Sequence, residues 1–166
     1  MSGALLKRYD HVYNIVMYDG EDQNIKQYLE KSGAQRHFNI IYIKDDMTHI
    51  YEMSAALARN EFICMHADRF MEGNRTITHP FLGEDAQFPL GPFILASKLR
   101  APVSFVFALK EHATHYSFYA TDATVFDGRG TEGAMRMLSA YVDELSAKLK
   151  QYPEQWFNYF DFWKKG

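Results

Sequence analysis

Asp68 and Arg69 stand just past a short apolar run at residues 62–65, and Arg75 follows in Gly73-Asn74-Arg75. A carboxylate and a guanidinium at the C-terminal end of a strand can position a polar or phosphorylated substrate. The planar fork of arginine suits phosphate or carboxylate oxygens. Their local alternative is structural: Asp68 capping its own loop, with Arg69 paired to Glu72 or Glu84. His79 and Glu84 lie five positions apart, and a carboxylate can hold an imidazole in the tautomer that accepts a hydroxyl proton. Pro80 excludes a helical turn there, which favours a plain loop histidine. His66, Asp68, His79, His112 and His115 are residue types that bind zinc or iron. The pair His112-x-x-His115 on one strand would point to opposite faces, so no metal is expected. Cys64, among Phe62, Ile63 and Met65, reads as a core side chain without a neighbouring base.

These residues need a frame, and the hydrophobic pattern supplies one. Apolar runs at 9–18, 38–43, 62–65 and 103–109 read as strands, the last apolar throughout, as for a strand covered on both faces. Between them, 22–31 and 46–59 have helical spacing, the second with Ile50, Met53, Ala56 and Leu57 as its buried stripe. A long polar loop follows residue 65. Gly91-Pro92 then opens a helix over 92–100, where proline near the first turn loses no needed N–H. Residues 115–120 and 124–126 alternate and suggest an antiparallel strand or hairpin at a sheet edge. After the turn at 127–130, Thr131 is expected to cap a helix reaching about residue 150, with Glu132 early and Lys148 and Lys150 late. The order predicts one α/β domain with a mainly parallel sheet flanked by helices. In such sheets ligands gather outside the C-terminal strand ends, where Asp68 would lie.

The chain has 166 residues, enough for one domain with a proper core. A hydrophobic share of 47% beside 23% charged residues fits a globular protein. A net charge of −3 offers no basic field for nucleic acid. No apolar run approaches the roughly 18 residues of a membrane span, and Met1-Ser2-Gly3 does not open a signal peptide. The single cysteine excludes an internal disulfide. A nucleotide-binding enzyme is disfavoured, because neither G-x-G-x-x-G nor G-x-x-x-x-G-K-[ST] occurs. The aromatic tail from Trp156 to Trp163 fits packing onto the sheet better than lying in a membrane interface.

Six short elements stand in order: Ala67-Asp68-Arg69, then Phe81-Leu82-Gly83 and Pro89-Leu90-Gly91, Leu95-Ala96, Ala101-Pro102-Val103, and Pro153-Glu154-Gln155-Trp156 near the end. Each is weak alone; their order and spacing resemble the lipid A biosynthesis (late) acyltransferases of the lysophospholipid acyltransferase superfamily, over about residues 13–163. The resemblance implies the C-terminal portion of a glycerol-3-phosphate acyltransferase-like α/β core. It also implies transfer of an acyl chain from acyl carrier protein or acyl-CoA to a hydroxyl of a glycolipid or aminolipid. The setting would be cytoplasmic, peripheral to the cytoplasmic face of the inner membrane, without cofactor or nucleic acid. Asp68 would support catalysis, and Arg69, Arg75, Gly83 and Gly91 would bind substrate.

The family's His-x-x-x-x-Asp/Glu box would precede the helix ahead of the first strand, where only Ala4-Leu5-Leu6-Lys7-Arg8 stands. The expectation is therefore a fragment that is inactive alone. The other reading is a non-catalytic lipid- or carrier-protein-binding domain. An in-frame His box in the DNA upstream of Met1 would separate the two.

Overall fold

The run Tyr-Asn-Ile-Val-Met-Tyr is apolar toward both sides of an extended chain, as an inner strand requires. It forms strand β1 (Tyr13–Tyr18) in the computed structural model of the protein. The structure describes residues 11–18, 38–44, 46–71, 73–156 and 162–163, which leaves the expected helix at 22–31 outside the described residues. The chain divides into two compact units, Met1–His66 and Ala67–Gly166.

In the first unit β1 lies between β2 (Phe38–Ile43) and β3 (Phe62–Cys64), and both pairings are parallel. Tyr13 faces Phe38 and Phe62 in register, and its ring stacks on them at 5.7 and 5.1 Å. Helix α1 (Thr48–Ala58) buries Met53 and Ala56 while Ile50 and Leu57 are half-buried, close to the stripe read from sequence. It starts two residues later than expected because Asp46 caps it from outside. Its carboxylate accepts from the Thr48 N–H at 3.0 Å and from the Thr48 hydroxyl at 2.8 Å. Those bonds hold the Asp46 carboxyl below the usual range. The one deeply buried amide of this sheet is engaged on both ends. Asn14 donates to Glu61 Oε2 at 3.0 Å and to the Phe62 carbonyl at 3.1 Å, and accepts from Asn39 at 3.2 Å. A buried polar group satisfied in this way carries little desolvation penalty.

The second unit is built from two hairpins and two helices. Strands β4 (Thr76–Phe81) and β5 (Glu84–Pro89) pair antiparallel, as do β6 (Val106–His112) and β7 (His115–Ala120). Helix α2 (Leu90–Leu99) follows β5 directly, and α3 (Thr131–Gln151) closes the unit. The apolar stripe of α3, with Ala134, Met137, Leu138, Tyr141, Val142 and Leu145 buried, has the i, i+3, i+4 spacing of a core-facing helix. It packs with Phe81, Phe88, Phe93, Phe105 and Phe162 in one core. Trp156 and Trp163 pack against that core, as expected for the tail; residues 157–161 lie outside the described residues.

The α/β class holds, but the expected mainly parallel sheet needs correction. Among the described residues, parallel pairing is confined to the three strands of the first unit. The run at 103–109 does not form a strand covered on both faces. Val103 makes only an isolated bridge to Thr124, and β6 begins at Val106. Phe105 and Leu109 are buried while Val106 is 63% exposed, which is the period of a one-sided strand. Every position in that run is apolar or small, so the hidden alternation is one of side-chain size. The polar stretch after residue 65 is likewise not a plain loop, since it contains the β4–β5 hairpin. Two boundaries also move. Helix α2 starts at Leu90 rather than Pro92, and the cap of α3 is Gly130, at φ +59°, with Thr131 as the first helical residue.

Leu82-Gly83 is the two-residue turn of the β4–β5 hairpin, closed by the Phe81–Glu84 pair. Both turn residues have positive φ, +53° and +97°. That is the requirement of a type I′ turn, for which Asn-Gly is the favoured pair. Gly83→Ala should lower stability by about 1–2 kcal/mol, the strain of a left-handed L-residue. Leu82→Asn should raise it. Denaturant midpoints of the two variants check the pair of signs.

Candidate functional site

Asp68 follows β3 by four residues but belongs to the second unit, in a bend anchored by Ala67 against that unit's core. It is half-buried and lies near enough to Tyr141 to act on it electrostatically. Burial first, and then the negative charge of Asp68, push the Tyr141 hydroxyl far above the ordinary tyrosine range. Tyr141 therefore stays neutral, and Phe88, Phe93, Phe105 and Phe107 pack around its ring at centroid distances of 5.3–6.4 Å. The sequence reading missed Tyr141, because a tyrosine in a helical stripe looks like any other core residue.

Arg69 and Arg75 are both exposed, so each can meet a solvent-borne anion. The backbone of Arg75 has a structural duty as well: its carbonyl accepts from the Leu90 N–H at 2.9 Å and ties the start of β4 to the start of α2. Gly83 occupies the hairpin turn, and Gly91 lies in the first turn of α2. A side chain built at either would meet nothing within 4 Å. Both glycines thus leave open space beside the backbone, at two different places of the second unit.

His79 is not a loop histidine. It lies in β4, paired with Ala86 of β5, whereas Glu84 pairs with Phe81 at the turn. The imidazole is held by other groups: Nδ1 lies 2.9 Å from the Pro80 carbonyl and Nε2 lies 3.0 Å from Ser139 Oγ of α3. Glu84 is exposed, and no bond from it to His79 is present among the described residues. The His-x-x-x-x-Glu spacing therefore does not describe a carboxylate-held base here.

His112 and His115 face each other across the β6–β7 turn, both exposed, with Ala113 and Thr114 between them. They do not stand on opposite faces of one strand, because the chain reverses between them. Among the described residues no three His, Cys, Asp or Glu side chains gather as metal ligands. Cys64 is exposed on β3 rather than in the core, while desolvation around its sulfur raises the thiol pKa. It is a poor nucleophile at neutral pH.

A family model for bacterial lipid A biosynthesis acyltransferase matches residues 1–165. No curated protein matches the chain.

Proposed function

Because the chain belongs to the bacterial lipid A biosynthesis acyltransferase family, we propose that it serves transfer of an acyl chain from acyl carrier protein or acyl-CoA to a hydroxyl of a glycolipid or aminolipid. The family match over nearly the whole chain carries this reading. Asp68 supports the chemistry, and exposed Arg69 and Arg75 take the anionic parts of the substrates. Gly83 and Gly91 leave room for backbone approach. The reaction takes place at the cytoplasmic face of the inner membrane, with the chain bound peripherally. Among the described residues no helix is long and apolar enough to cross a membrane.

Transfer of this kind needs a base to take the acceptor's proton, and it needs groups that stabilise the tetrahedral oxyanion. The one His-x-x-x-x-Glu in the sequence, His79 to Glu84, has its imidazole committed to Pro80 and Ser139. That pair therefore does not supply the family's base, and the chain alone is expected to make no acylated lipid.

The test uses labelled acyl carrier protein thioester and a lipid acceptor, and reads the acylated lipid. The chain alone should give none. Joined to a segment that supplies the family's His box it should turn over, and Asp68→Ala should then lower kcat/KM by roughly tenfold to a hundredfold with little change in thermal midpoint, as expected for a group that positions reactants. Lipid product from the chain alone would overturn its expected inactivity, and an Asp68→Ala variant that loses stability while keeping activity per folded molecule would overturn the role of Asp68. Absence of transfer in the joined protein, with tight binding of acyl carrier protein or lipid retained, would favour a non-catalytic binding domain instead.

A further inference from the structure

Ser139, His79 and the Pro80 carbonyl form a chain of hydrogen bonds with a chemical direction. A carbonyl can only accept, so the 2.9 Å contact requires that His79 Nδ1 carry a hydrogen. In the neutral imidazole Nε2 is then a lone pair, and the 3.0 Å contact is a bond donated by the Ser139 hydroxyl. A hydroxyl donating to an imidazole, itself oriented by a third group, is the arrangement that activates a serine nucleophile. The three groups come from β4 and α3, sixty positions apart in sequence. Both side chains are half-buried, so a small reagent can reach the hydroxyl while the pair keeps its geometry. Met135, one turn earlier on α3 and 37% exposed, shares the Ser139 side of the helix and offers an apolar ledge.

We propose that Ser139 is an acyl-accepting nucleophile, with His79 as its base, toward activated acyl esters and thioesters. This goes beyond the transfer to lipid and does not depend on it. Ser139 Oγ attacks the acyl carbonyl as its proton passes to His79 Nε2. The tetrahedral intermediate then collapses, the bond from carbonyl carbon to the leaving oxygen or sulfur breaks, and that atom takes the proton from Nε2. The products are an acyl ester on Ser139, a free alcohol or thiol, and a neutral imidazole; nothing is oxidised or reduced. The pair supplies a nucleophile and a base only, so the expected result is one acylation per chain rather than sustained turnover.

The 166-residue chain, mixed with p-nitrophenyl butyrate, should release a burst of about one equivalent of p-nitrophenolate and gain one butyryl group, mapped to Ser139 by peptide mass spectrometry. Ser139→Ala should abolish the burst. His79→Gln should slow it by at least about 100-fold, the lower range of general-base assistance. Ser139→Cys keeps the attack without relying on the histidine substitution. Its butyryl adduct should be a thioester that neutral hydroxylamine removes. Adducts spread over lysines, a His79→Gln burst at the parent rate in a folded protein, or no labile adduct on Ser139→Cys would each overturn the proposal.

Discussion

Phe81→Ala is expected to destabilise the second unit by about 3–5 kcal/mol, the range for emptying a buried phenylalanine site. Phe81 is 2% exposed and sits at the end of β4, just before the hairpin turn. Its ring is stacked on Trp163 at 5.9 Å and meets Trp156 and Phe88 edge-on at 5.4 and 5.6 Å. The Phe81 carbonyl also accepts from the Trp163 indole N–H at 3.3 Å. The hairpin and the C-terminal aromatics therefore share one packing unit, and neither can collapse into the space the ring leaves. Phe81→Leu should lose clearly less, because much of the volume remains. Denaturant unfolding of both variants, with a double-mutant cycle to Trp163→Ala, measures the cost and the coupling. A loss below about 1 kcal/mol for Phe81→Ala would mean that the site relaxes and that the aromatic contacts carry little.

The second large effect is expected at Gly133. This residue is buried in the first turn of α3, and a side chain there would run into Ser97 Oγ of α2 and come within 2.8 Å of the Gly128 carbonyl oxygen. The serine could turn aside, but the carbonyl is backbone and is fixed by a tight turn in which Gly128 itself has φ +90°. Alanine normally improves a helix relative to glycine by about 1 kcal/mol. Here the clash should reverse the sign, with Gly133→Ala costing about 1–3 kcal/mol and Gly133→Val more, as overpacking does. Thermal midpoints of the two variants decide it. An unchanged or raised midpoint for Gly133→Ala would show that α2 and α3 can separate without loss.

Local order was largely legible in the sequence. The periods of 3.6 in α1 and α3 and the apolar runs of β1 and β2 each depend on residues close in the chain, so pattern alone places them. Acidic Glu132 and basic Lys148 and Lys150 likewise mark the two ends of α3 without reference to anything distant. The family motifs are short and local too, which is why they could be read in order. Strand partners are another matter. Nothing within 103–109 tells a strand between parallel neighbours from one arm of a hairpin, because the choice rests on β7, and on which side α3 covers. His79 shows the same limit at the candidate site. Its spacing from Glu84 suggested a carboxylate partner, but strand pairing put Glu84 at the turn, and the packing of α3 brought Ser139 to the ring instead. Residue types and local spacing thus determined helices α1 to α3, the first strands and the family. Tertiary structure decided the pairing of the later strands and the partners of each polar side chain, since those energies come from contacts between positions far apart in the chain.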